Sequence, residues 1–149
     1  GVGSNGRPLS PEQLRVILLD THALIWWQAL DSKLSARAAA AIAQARSVFV
    51  SAVSCWEVGM LVTKGRVALN RDLSQWVADM EAEPAIELVS LSPRAGVTTA
   101  ALVQDGFPGD PADGLLYATA VELHVPFVTA DTRIARYARD GRIPCKIVW

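Results

Sequence analysis

Val16-Ile-Leu-Leu19 is an unbroken apolar run that ends at Asp20. A strand with no polar residue on either side must be covered on both faces, as strands of a parallel sheet are. Residues 48–50 and 127–128 read the same way, and 86–91 and 146–149 complete five expected strands. The intervening segments are long and periodic enough for helices at 21–30, 35–45, 54–64, 73–82, 93–102, 111–124 and 132–139. Strands alternating with helices define an α/β chain, here a mostly parallel five-stranded sheet flanked by helices. The punctuation agrees: Gly65 ends a helix, Gly106-Phe-Pro-Gly109 is a loop, Pro126 opens a strand and Gly141 follows a helix end.

A chain of 149 residues, 51% of them hydrophobic, can bury about 70% of its unfolded surface in one core. Residues 16–149 are therefore expected to form a single domain behind an N-terminal extension, 1–15, that is in part not native. Fourteen Lys and Arg against fifteen Asp and Glu leave no general basic excess, so any nucleic-acid contact must come from a local patch. Apolar runs such as 16–19 and 23–27 are far short of the roughly 20 residues a membrane helix needs. No membrane contact is expected, and no secretory signal is visible at the start. Cys55 and Cys145 cannot make a disulfide framework, and with only His22 and His124 they offer no metal-ligand spacing. A reducing cytoplasm is the expected compartment. Gly1-Val-Gly-Ser-Asn-Gly6 matches G-x-G-x-x-G, but no strand feeds it and no helix receives a pyrophosphate, so the match is rejected.

In open α/β sheets ligands sit beyond the carboxyl ends of the strands, which directs attention to the acids there. Asp20 follows the first strand and Asp131 the fourth, each just before a helix. Either position suits a helix N-cap as well as a ligand. Glu57 has Val53, Met60 and Leu61 as its helical neighbours, so its carboxylate lies on an apolar side and needs a compensating cation. A distant Arg or Lys would serve, and so would a divalent ion. In Asp110-Pro-Ala-Asp113 the proline sets the helix start and Asp110 is the natural cap. Asp113 could close a capping box, but it shares a face with Leu116 and Tyr117 and is expected to point inward. A parallel sheet would gather Asp20, Glu57, Asp113 and Asp131 at one edge. Such carboxylates repel unless neutralised, and a site of oxygen donors favours Mg²⁺, with Mn²⁺ as an alternative.

Leu19-Asp-Thr-His22, Val53-Ser-Cys-Trp-Glu-Val58, Asp110-Pro-Ala-Asp-Gly-Leu-Leu-Tyr-Ala-Thr-Ala120 and Phe127-Val-Thr-Ala-Asp131 occur in that order and resemble the motifs of PIN-domain proteins. More narrowly, the chain is similar to the VapC toxins of type II toxin–antitoxin systems, over residues 16–149. The resemblance implies a PIN-like three-layer sandwich and a Mg²⁺-dependent endoribonuclease of prokaryotic cytoplasm. It maps the family's acidic quartet onto Asp20, Glu57, Asp113 and Asp131, and matches Thr129 to a hydroxyl that orients a carboxylate. It also implies an RNA substrate, a cognate VapB-type antitoxin and a homodimer. The chain departs at Ala112 and Gly114, where the family often has a bulky aromatic and an Arg, and at Leu61, where it often has Lys.

His22 is expected to be a hydrogen-bonded structural residue, and His124, near a helix end, a cap favoured by the macrodipole. Segment 21–30, with Trp26 and Trp27, is more apolar than one core-facing stripe requires. Either both faces are buried in the domain or a partner covers one. Residues 131–149 carry five Lys and Arg against two Asp; the run fits a solvated face or a phosphate-binding one, and Arg133 and Arg136 are the candidate RNA contacts. An aspartyl-phosphate phosphatase would need an Asp where His22 stands. A phospho-receiver would need paired acids after the first strand and an Asp near Ser90 or Ser92. Nucleophile elbows and P-loops are absent. A non-catalytic metal-binding interaction module of the same fold is the remaining alternative.

Overall fold

A computed structural model describes residues 15–149; the hexapeptide match and all but the last residue of the proposed N-terminal extension lie outside the described residues. The elements are β1 (Val16–Leu19), α1 (Thr21–Gln28), α2 (Ala36–Gln44), β2 (Ser47–Ser51), α3 (Ala52–Thr63), α4 (Leu73–Ala82), β3 (Ile86–Val89), α5 (Pro93–Gln104), α6 (Pro111–Leu123), β4 (Phe127–Val128), α7 (Thr132–Asp140) and β5 (Ile147–Val148). The sheet order is β3-β2-β1-β4-β5, and all four pairings are parallel.

Strand alternation makes three layers. Ile17 and Leu19 of β1, with Val48 and Val50 of β2, enter a core with Leu24 of α1, Ile42 of α2, and Trp76 and Met80 of α4. Leu18 and Phe127 point the opposite way, onto Leu102 of α5, Leu116 and Tyr117 of α6 and Ile134 of α7. Each fully buried large apolar side chain stabilises the fold by about 1.5–3 kcal/mol. The strands are apolar on both faces because each face has its own helical layer.

The chain runs outward from β1 through β2 to β3, then returns past β1 to β4 and β5. The reversal lies between β1 and β4, where the connections diverge and leave a crevice beyond the strand ends. The backbone N–H of Asp20 donates to Val128 O at 3.0 Å, tying the two strand ends together. Helix α3 packs against both α1 and α6 and closes the crevice on the β2 side.

Several boundaries differ from the sequence reading. Helix α3 starts at Ala52 rather than Ser54, because Ser51 caps it by accepting the Val53 N–H at 3.0 Å. Helix α1 stops at Gln28, and Leu30 turns to φ 53 with its side chain exposed. His124 ends α6 in the left-handed conformation at φ 55. Gly65 and Gly106 take positive φ, as helix-ending glycines do, but Gly141 does not. A Cβ there would come within 2.5 Å of the Tyr137 ring. Gly114 has a similar cause, since a Cβ would lie 2.9 Å from Thr99 Cγ2 of α5. Close packing of α5 on α6 therefore leaves no room for the larger residue common there in the resembling family.

Candidate active site

Four chain segments bring acids to the crevice. One cavity of about 380 Å³ is lined by Asp20 and His22 at the end of β1, Glu57 of α3, Asp110 and Asp113 at the start of α6, and Thr129 and Asp131 after β4. All four acids expected to converge face this cavity.

Each carboxylate is held by local chemistry. Asp20 caps α1, accepting the Ala23 N–H at 2.7 Å, and bonds the Thr129 hydroxyl. Thr129 is 1% exposed and its Oγ1 also accepts the Asp131 N–H at 3.2 Å, so one hydroxyl links the ends of β1 and β4. Glu57 accepts a short hydrogen bond from Thr21 Oγ1, which in turn accepts from Ser54 Oγ at 3.0 Å. Thr21 and Ser54 are buried and were missed in the sequence. Their only available signals were the Thr next to Asp20 and the Ser three residues before Glu57. Asp110 and Asp113 form the capping box: Asp110 Oδ1 accepts the Asp113 N–H at 2.8 Å and Asp113 Oδ2 the Asp110 N–H at 3.2 Å. The expectation that Asp113 points inward instead of closing the box is corrected, because it does both. Gly109 permits this, since a Cβ there would lie 2.6 Å from Asp113 Cβ.

Glu57 forms no ion pair with any Arg or Lys among the described residues. Its surroundings also differ from a core face, for Met60 is 38% exposed and Glu57 itself is half-buried, at the rim of two cavities. Asp131 does have a cation: Arg133 contacts it at 3.0 Å, which with the α7 N–H groups holds its carboxyl below the ordinary range. The other three are pushed up. Burial raises Asp20 and Glu57, while burial and the neighbouring Asp110 charge raise Asp113 to about 7. These shifts record first the burial of carboxyls away from water and second their like-charged neighbours.

Among the described residues, no group of three or more His, Cys, Asp or Glu side chains stands gathered tightly enough to hold a metal ion. The hydrogen bonds explain the spread: Glu57 turns to Thr21, Asp113 to the Asp110 N–H and Asp131 to Arg133. The donor set is nevertheless all hard oxygen on one cavity, and rotation of these side chains into it is the motion a divalent cation would require.

The Asp113 shift has a measurable consequence. An ordinary Asp loses its proton near pH 4 when unfolded, whereas folded Asp113 keeps it until about pH 7. Between these values the folded state binds more protons, so its stability falls as pH rises from about 4 to 7. In chelator, wild type should lose about 1 kcal/mol more than Asp113→Asn between pH 5 and 8, after allowance for the group's solvent exposure. For this chain length that is about 2–4 °C in melting temperature, and parallel pH profiles for the two proteins would contradict the assignment.

Two expectations outside the quartet change. His22, expected to be a hydrogen-bonded structural residue, is exposed and makes no side-chain hydrogen bond among the described residues; its ring lies 5.7 Å from that of Trp26 at the cavity. Trp26 also meets Trp149 at 5.8 Å, while Trp27 packs on the core of the α1 layer. Contacts inside the chain thus account for much of the apolar character of α1. Leu30, just past α1, stays 91% exposed, and other open apolar side chains among the described residues include Trp56 and Met60 of α3 and Val97 and Val103 of α5. Both cysteines are free, and no described helix is long and apolar enough to cross a membrane.

The family model for the PIN domain matches residues 17–140. Ribonuclease VapC22 of Mycobacterium tuberculosis is 36% identical over 137 residues, covering 91% of this chain and all of that protein. Among solved structures, FitAcB of Neisseria gonorrhoeae superposes with a TM-score of 0.61 at 20% identity, covering 88% of this chain and 95% of that one. VapBC2 of Rickettsia felis, bound to a promoter DNA fragment, gives 0.59 at 15% identity, with 90% and 99% covered. A shared fold, a matching domain model and a curated relative aligned along its whole length lead to one conclusion: the chain belongs to the PIN-domain family, in its VapC branch.

Proposed function

We propose that the protein is a metal-dependent endoribonuclease and the toxin of a toxin–antitoxin pair. The observation that carries this reading is the convergence of Asp20, Glu57, Asp113 and Asp131 from separate elements on one cavity, with raised proton affinity at three of them. Those four carboxylates would hold Mg²⁺, or Mn²⁺, which when bound lowers the pKa of water and stabilises charge on a phosphodiester. Thr129 fixes the Asp20 carboxylate. Thr21 aims Glu57, and Asp110 anchors the backbone that carries Asp113. The relative named Ribonuclease VapC22 supports RNA as the substrate class.

A VapB-type antitoxin is the proposed partner, supported by structural neighbours that are VapBC complexes. A homodimer is proposed with it, and exposed Trp56, Met60, Val97 and Val103 supply apolar surface for such contacts. A prokaryotic cytoplasm is the setting this reading implies.

The test is incubation of the purified chain with total RNA, with Mg²⁺ or with chelator, followed by sequencing of new 5′ ends. Discrete new ends that require the divalent ion are expected. Full cutting in chelator would overturn the metal-dependent mechanism. Metal binding without any cutting would leave the non-catalytic module as the better account. Light scattering tests the homodimer, which a one-chain mass at high concentration refutes.

A further inference from the structure

Beside the acidic cavity lies a second one, of about 570 Å³, on the α7 side. Its wall carries Arg133, Arg136 and Arg142 together with Asp105 and Asp140. Both acids already have partners. Asp105 accepts the Tyr137 hydroxyl at 2.6 Å and the Arg142 N–H at 2.9 Å, and Asp140 is gripped by Arg139 at 2.8 and 2.9 Å. Arg136 has no ion pair or side-chain hydrogen bond among the described residues, and the Arg142 side chain is 90% exposed with one loose contact, 3.7 Å from Asp105. This cavity therefore presents unengaged guanidinium groups, whose planar fork matches phosphate oxygens. It adjoins the acidic cavity across the Asp131–Arg133 pair, since Asp131 lines one and Arg133 the other.

We propose that this cavity seats a backbone phosphate of the RNA substrate, next to the linkage to be cut at the acidic cavity. Arg136 and Arg142 contact that phosphate, and Arg133 exchanges Asp131 for it, which frees the Asp131 carboxylate to turn into the acidic cavity, where a divalent cation would be held. The inference rests on the nuclease reading above. It adds a path for the strand: the RNA leaves the acids over α7, on the side of the sheet opposite α2.

The experiment measures binding of a labelled 12-nucleotide single-stranded RNA by anisotropy, in chelator so that nothing is cut, across a range of salt. Arg136→Ala and Arg142→Ala should each weaken binding about fivefold and lower the log–log salt slope by about 0.7. Arg136→Lys should keep the slope while losing part of the affinity, which a purely structural role would not produce. Arg37→Ala on α2 removes an equal charge and should change neither. In Mg²⁺, the two Ala variants should raise KM and leave kcat close to wild type. Unchanged binding in both Ala variants, an equal loss in Arg37→Ala, or no RNA binding by wild type overturns the subsite. If the variants lose binding as expected but wild type cuts no RNA in Mg²⁺, the subsite stands and the nuclease reading falls.

Discussion

Asp113→Asn is expected to fold and to cut RNA at least about 10²-fold more slowly than wild type, beyond the 10- to 100-fold that losing an outer partner of a metal ligand typically costs. The amide keeps an oxygen to accept the Asp110 N–H, so the capping box survives. What disappears is a negative charge in a cavity where Asp20 and Glu57 already compete for positive partners. Asp20→Asn should lose activity to a similar extent for the same reason. Asp110→Asn is the contrast: Asp110 is exposed, its side chain caps α6 by accepting the Asp113 N–H, and an amide still caps. Its cleavage rate should stay within about tenfold of wild type, with a stability loss below the 0.5–2 kcal/mol of a deleted cap. Melting temperatures and cleavage rates at saturating Mg²⁺ decide the matter, and a dead Asp110→Asn beside an active Asp113→Asn would reverse the two roles.

Tyr117→Ala should produce the largest loss of stability, about 3–5 kcal/mol, out of the 5–15 kcal/mol typical of a folded domain. Tyr117 is fully buried, with its ring among those of Phe107, Phe127 and Tyr137 at 5.0–6.2 Å, and its hydroxyl donates to Ile143 O at 2.7 Å. Truncation leaves a cavity at the junction of α6, α7, β4 and the segment before β5. Tyr117→Phe keeps the ring and removes only the donor, so its cost should be about 1–3 kcal/mol, the penalty for leaving the Ile143 carbonyl unpaired. Urea unfolding measures both. Similar losses in the two variants would assign the stability to the hydrogen bond rather than the packing.

The sheet and its helices were legible because the two patterns that make them are local. An apolar run such as 16–19 demands cover on both faces, and the segments between such runs carry helical spacing. The existence and type of all twelve elements follow from that, whereas the ends shift by one or two residues. Local capping decides those ends: Ser51 draws α3 back to Ala52, and the Ser side chain makes that bond only in the folded turn. The four acids were legible for a related reason. Asp20 and Asp131 end strands, and a parallel sheet puts all its strand carboxyl ends on one side. Glu57 and Asp113 were legible as charges among apolar neighbours.

Pairings between distant side chains were not legible, because sequence spacing carries no information about which residues meet across elements. Thr21 buried against Ser54 and Glu57, Tyr137 on Asp105 and Trp26 against Trp149 depend on how α1, α3, α5, α7 and β5 pack on the sheet. Gly114 and Gly141 belong to the same class: their lack of a side chain is demanded by Thr99 and by Tyr137, not by backbone conformation. Charge followed this division as well. The sequence determined that residues 131–149 are basic, but only the tertiary structure decided which Arg is spent on Asp131 or Asp140 and which is left facing a cavity. Coulomb energy falls with distance in space and with solvent exposure, and both are fixed by packing rather than by position along the chain.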